Sequence, residues 1–205
     1  MGVFDPKPQK KSELPEEGKH PAVLYLIADL GSHKDTYEGK ETIKRKVYIS
    51  FELVGTKMED GRPFVIGEEF TVSPSKFGGY YISATSNLFK LLKSWGDVKD
   101  CRKDLKFLSD LLNSQHPASV FVGIVDKRNK PGEKKAIIES VKPYKGSETL
   151  ARVNPPVDAI SNPEDFEKLP VWIKKRIEAS LERNGGIPVQ SSASTSYVDD
   201  ESIPF

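Results

Sequence analysis

The chain has one cysteine, Cys101, among 205 residues. A lone thiol closes no internal disulfide and builds no multi-cysteine zinc site, so Cys101 reads as a small, buried or half-buried residue beside a helix. Long apolar runs are missing too. No stretch approaches the roughly 18 residues of a membrane span, and the Lys-rich, Pro-containing start lacks the apolar segment of a signal peptide. These absences predict a cytoplasmic protein with no membrane partner. Histidine is scarce: His20, His33 and His116 are scattered without a partner motif, and no carboxylate cluster has metal-ligand spacing. Asp29, His33 and Asp35 can be drawn as a trio, but such trios arise readily in a chain that is 30% charged. The expectation is a non-catalytic protein with no metal and no cofactor.

What is present is an asymmetry of charge. The net charge of +1 hides 26 Lys/Arg against 21 Asp/Glu in residues 1–153, a surplus of +5, and 5 against 9 in residues 154–205, a deficit of −4. A basic body with an acidic tail suits a nucleic-acid binder with a competing or recruiting tail. The hydrophobic fraction of 37% suits one modest core plus extensions.

Four regions follow from composition. Residues 1–19 mix Lys, Glu and Pro and read as a flexible arm, 20–153 as the folded body, 154–184 as a helical extension, and 185–205 as a disordered linker with an acidic tip. Within the body, Ala22 to Leu30 is nearly continuous apolar and reads as a buried strand, followed by a polar loop from Ser32 to Glu41. Ile43 to Leu53 alternates, with Ile43, Arg45, Val47, Ile49, Phe51 and Leu53 on one face and Lys44, Lys46, Tyr48, Ser50 and Glu52 on the other. Arg45 breaks the inner set where a barrel rim would let it reach solvent. Glu59-Asp60-Gly61 is a turn, and Phe64 to Ser73 is the return strand.

Leu88, Leu91, Leu92 and Trp95 have helical spacing, with Gly96 as a stop, and Leu105, Leu108, Leu111 and Leu112 repeat it from about Asp100 to Asn113. Ala118 to Asp126 and Lys134 to Tyr144 form a second hairpin around a basic turn, and a last helix runs from Pro170 or Trp172 to Asn184. Trp95 and Trp172 both read as core. The order strand, strand, strand, helix, strand, strand predicts a mainly β protein. The expected fold is a five-stranded OB barrel with helices between strands 3 and 4 and a C-terminal helix. Other small all-β barrels and an α+β sheet produce the same string.

The segment from Asp199, Asp200 and Glu201 to Ile203, Pro204 and Phe205 sets an apolar ring and a carboxylate on an acidic stalk. It resembles the C-terminal tip of bacterial single-stranded DNA-binding proteins. That resemblance implies recruitment of replication, recombination or repair proteins through these six residues. In the body, Gly31 to Tyr37, Lys44 to Val47, Ser86 to Lys90, Trp95 and Leu169 to Ile173 are similar to phage-encoded OB-fold single-stranded DNA-binding proteins. The likeness implies sequence-tolerant protection of single strands, in the host cytoplasm if the chain is phage-encoded. The body departs throughout from the bacterial proteins, so their assembly and stacking residues do not transfer.

A binder of single strands needs cations for phosphates and exposed rings for bases. Lys44, Lys46 and Tyr48 share the outer face of the second strand, Lys34 and Tyr37 precede it, and Lys127, Arg128, Lys130, Lys134 and Lys135 crowd the last hairpin. Phe77, Tyr80 and Tyr81 interleave with glycines as a stacking flap or as a cover for the barrel end. Phe121 falls out of phase with Val120 and Val122, so it either stacks or packs under a terminal helix. The competing reading is an OB-fold adaptor that binds proteins and has little DNA affinity.

Overall fold

The computed structural model describes residues 13–75, 79–96, 105–128 and 130–185. Its elements in chain order are β1 (Gly18–Tyr37), β2 (Lys40–Lys57), β3 (Pro63–Pro74), β4 (Tyr80–Tyr81), α1 (Asn87–Trp95), α2 (Lys106–Asn113), β5 (Pro117–Lys127), β6 (Lys130–Pro143) and β7 (Val157–Asp158). A 3-10 turn (Pro163–Lys168) and α3 (Val171–Glu178) follow. The protein is mainly β. The ladder order is β4-β3-β2-β1-β5-β6, every pair antiparallel, with β7 lying parallel on β1. The sheet curls until β3 and β6 approach each other, but no ladder joins them among the described residues and the sheet is open.

β1 is apolar without alternation because it is buried on both faces. Leu24 and Ile27 join the main core with Val47, Ile49, Phe51, Ile66, Phe70, Val120, Val122 and the helix residues Leu88, Leu92, Trp95, Leu108 and Leu112. Leu26, Ala28 and Leu30 face the other way, under Val157, Leu169 and Ile173. A register shift between Leu24 and Leu26 changes the phase and lets one strand serve both layers. The C-terminal extension is thus a second layer laid over the outer side of β1 and β2.

Several sequence expectations need correction. The polar loop from Ser32 to Glu41 is the distal part of a long hairpin: β1 runs to Tyr37, which pairs with Lys40 across Glu38-Gly39. Both turn residues have positive φ, 50° and 76°, as a two-residue hairpin turn requires, and Glu38 in place of the usual Asn or Asp hid the signal. Lys34 and Tyr37 are therefore strand residues. Ile43, assigned to the core, is 47% exposed because it lies beyond the body on this hairpin. Trp95 is core at 1% exposure, but Trp172 is 50% exposed.

α1 follows the pattern in its sequence, with the Ser86 hydroxyl accepting from Phe89 N and Gly96 closing the helix. Among the described residues, no helix is long and apolar enough to cross a membrane.

Candidate nucleic-acid interface

On the β1–β2 hairpin each predicted cation has an acidic neighbour. Lys34 pairs with Glu41 at 3.5 Å, Lys44 with Asp35 at 3.0 Å, and Lys46 with Glu69 at 3.9 Å. The hydrogen bond from Lys44 holds the Asp35 carboxyl below its ordinary range, with the charge of the same lysine adding to the effect. At the turn of the β5–β6 hairpin, Glu133 draws in Lys127 at 2.8 Å and Lys130 at 3.3 Å. The Lys127 hydrogen bond is the main reason its carboxyl is lowered.

Arg128 and Lys134 are exposed and make no ion pair among the described residues. Lys135 lies close enough to Glu68 on β3 to oppose the rise that burial imposes on that carboxyl. This places the β5–β6 hairpin beside the edge of β3. Phe121 is half-buried, and its ring is capped by Lys142 Nζ at 5.0 Å, a cation–π contact on the β5–β6 side of the sheet.

Tyr48 does not stand free on the outer face of β2. Its ring lies across β3 over Gly67, where a methyl group would overlap the phenol. The indole of Trp172 meets it edge-on, with centroids 5.0 Å apart and planes at 87°. Burial pushes the Tyr48 hydroxyl up to about 12, so it stays neutral. One turn along α3 from Trp172, Arg176 Nε reaches Glu69 at 3.2 Å, so Lys46 and Arg176 share one carboxylate. The exposed ring of this face is Trp172. The signal was in the sequence: Leu169, Ile173 and Ile177 form the apolar stripe at spacing four, and Trp172 sits one position off it.

Tyr80 and Tyr81 form β4, paired with Pro74 and Ser73. Tyr80 is partly buried against the core, and the Arg45 guanidinium lies 4.3 Å from its ring centroid. Arg45 is not a free rim cation. Its Nε donates to both Asp29 oxygens at 3.1 Å, and its Nη1 donates to Glu182 at 2.9 Å. Burial would lower its pKa, but the Asp29 hydrogen bonds and charge outweigh that and raise it. The trio of Asp29, His33 and Asp35 is not assembled: Asp29 serves Arg45, Asp35 serves Lys44, and buried His33 directs Nε2 to the Leu30 carbonyl at 2.9 Å. Phe77, Cys101 and the tip from Asp199 to Phe205 lie outside the described residues.

These parts give a curled sheet with two long hairpins, uncompensated cations on one of them, and an exposed indole on a helix that packs on β1 and reaches β2 and β3 through Trp172 and Arg176. No protein-family model, no curated protein and no solved structure matches the chain.

Proposed function

We propose that the protein is an OB-type binder of single-stranded DNA, tolerant of sequence, that protects strands during replication, recombination or repair. The observation that carries this reading is the strand connectivity. The order β3-β2-β1-β5-β6, with β3 and β6 approaching at the seam and two helices in the chain between β3 and β5, is the path of a five-stranded OB barrel short of its last ladder. The β1–β2 and β5–β6 hairpins then correspond to the two loops through which such barrels meet oligonucleotides.

Arg128, Lys134 and Lys135 supply phosphate contacts on the second hairpin, and Lys34, Lys44 and Lys46 supply them on the first by exchanging carboxylates for phosphates. Phe121 and Trp172 offer rings. The acidic tip, Asp199 to Phe205, recruits a partner protein through its apolar end and terminal carboxylate.

Anisotropy of a labelled oligodeoxythymidine, measured across a salt series on the full chain and on a variant ending at Asn184, tests the reading. Affinity that falls as salt rises, with duplex bound more weakly, is the expected result. Failure of both proteins to bind at low salt would sink the proposal. A second reading, an adaptor that binds proteins through the same body, is favoured by one observation: five of the hairpin and strand cations, Lys34, Lys44, Lys46, Lys127 and Lys130, already have carboxylate partners. In that case DNA affinity stays weak even in the variant lacking the tail.

A further inference from the structure

Trp172 stands out as a large apolar side chain left half in solvent. Its neighbour Ile173 is fully buried in the layer over β1, while the indole sits one position off that apolar stripe. Only its inner side is used, set edge-on against Tyr48. Tyr48 is itself packed across Gly67, so the indole rests on a ring that is supported from below. A ring held this way loses little conformational freedom when something stacks on its open face.

The charges at its foot choose the occupant. Lys46 and Arg176 both lean on Glu69, two cations to one carboxylate. Lys175, one position before Arg176, is exposed and makes no ion pair among the described residues. The Tyr48 hydroxyl stays neutral because burial holds its pKa at about 12, so it adds no negative charge. A flat aromatic surface beside surplus positive charge matches a nucleotide, whose base is planar and whose phosphate is anionic. An apolar protein segment would leave that charge unanswered.

We propose that Trp172 is a base-stacking platform for single-stranded DNA, seated on Tyr48, with Lys46, Arg176 and Lys175 taking the adjoining phosphate. The proposal rests on the DNA-binding function and adds to it a stacking residue on the C-terminal extension, beside Lys46 and Tyr48 of β2. It makes the extension part of the binding surface.

The two tryptophans make a direct test, because Trp95 is buried and Trp172 is not. Oligodeoxythymidine is titrated into the full chain while intrinsic emission and the anisotropy of a labelled oligomer are followed together. The expected result is quenching of the wild-type emission that disappears in Trp172→Phe, where only Trp95 emits. Trp172→Ala is expected to bind at least about fivefold more weakly, the low end of what one base stack contributes, and Trp172→Phe to keep most of the affinity.

If the oligomer binds by anisotropy while emission is unchanged and Trp172→Ala binds as the wild type does, the platform is refuted and DNA binding stands. If Trp172→Ala fails to fold, the quenching comparison with Trp172→Phe decides alone. If the wild type binds no oligomer at low salt with or without its tail, the DNA reading itself falls and the platform falls with it.

Discussion

The Glu182 carboxylate accepts a hydrogen bond from Arg45 Nη1 at 2.9 Å across a separation of 137 residues. Ser32 adds two more, from its backbone N–H at 2.9 Å and its hydroxyl at 2.7 Å, and Leu181 N–H returns to the Ser32 carbonyl at 2.9 Å. Gly31 leaves the space for this approach, since a methyl there would come within 2.6 Å of Ser180 Cβ. The end of the C-terminal extension is thereby pinned to the base of the β1–β2 hairpin. Glu182→Ala is expected to cost about 1.5–3 kcal/mol, the range for hydrogen bonds to a charged group. Denaturant unfolding measures that loss, and hydrogen exchange at Leu181 should accelerate more than exchange at Ile49. Equal acceleration at both would show that the clasp has no local role.

Acid should open the same clasp first. Burial raises the Glu182 carboxyl, but the Ser32 hydrogen bonds and the Arg45 charge outweigh it and hold the group below its ordinary 4.5. Asp165 follows the same pattern: burial raises it, while Lys168 and the Asp158 N–H bring it below 3.8. A carboxyl lowered by folding contributes stability that is complete above its unfolded pKa and is lost as pH falls through the folded value. Trp172 emission, which reports on the extension, is therefore expected to change below about pH 4, before global unfolding by circular dichroism. Coincident transitions would contradict this order.

Gly67 predicts a clash that a second substitution relieves. The Tyr48 ring occupies the space a side chain at position 67 would need, so Gly67→Ala is expected to cost about 1–3 kcal/mol, as overpacking does. Adding Tyr48→Ala should recover part of that loss, because the ring causes part of the crowding and the Ile49 carbonyl the rest. A double-mutant cycle with no coupling would show that the loss comes from the β2 backbone, where the methyl would lie 2.6 Å from the Ile49 carbonyl oxygen.

Glu52 carries a larger load than its place on a strand suggests. It has 0% exposure and accepts from Val153 N at 2.6 Å, Asn154 N at 2.9 Å and Asn154 Nδ2 at 2.7 Å. It also supplies the negative charge opposing the drop that burial imposes on Arg152. Arg152 in turn donates to the Leu24 and Leu112 carbonyls at 2.9 and 2.8 Å. Glu52→Ala orphans two backbone donors and is expected to cost on the order of 3 kcal/mol, read as a shift in the denaturation midpoint at constant slope.

How much of this was legible in the sequence follows from how local each signal was. The body and end of α1 were legible because stripe and stop lie within nine residues, from Leu88 to Gly96. The alternation from Val47 to Leu53 gave β2 its inner face for the same reason. The reach of β1 to Tyr37 was not legible, since Lys34, Asp35 and Thr36 carry no apolar pattern and are held by cross-strand pairing with Ile43, Thr42 and Glu41. Tyr48 was read as free because its cover, Trp172, arrives from 124 positions later in the chain. Arg45 was correctly seen as an interruption of the core, but Asp29 and Glu182 could not be matched to it by spacing. The charge count located the basic hairpins without showing which cations were already compensated.

That last distinction yields a test of direction. Glu133 holds both Lys127 and Lys130 on the β5–β6 turn, so it competes with any phosphate for two cations. Glu133→Gln should free both, strengthen binding to oligodeoxythymidine, and steepen the salt dependence by up to about 1.4 in the log–log slope, at roughly 0.7 for each added single-strand phosphate contact. Replacing Arg128 and Lys134 together by alanine should do the reverse, lowering both affinity and slope, because those two have no carboxylate to fall back on among the described residues. Surface pairs of this kind contribute little to stability, so neither change should move the unfolding midpoint much. If Glu133→Gln leaves both affinity and slope unchanged, the β5–β6 hairpin does not touch the strand. The interface would then have to be sought on the β1–β2 hairpin and around Trp172.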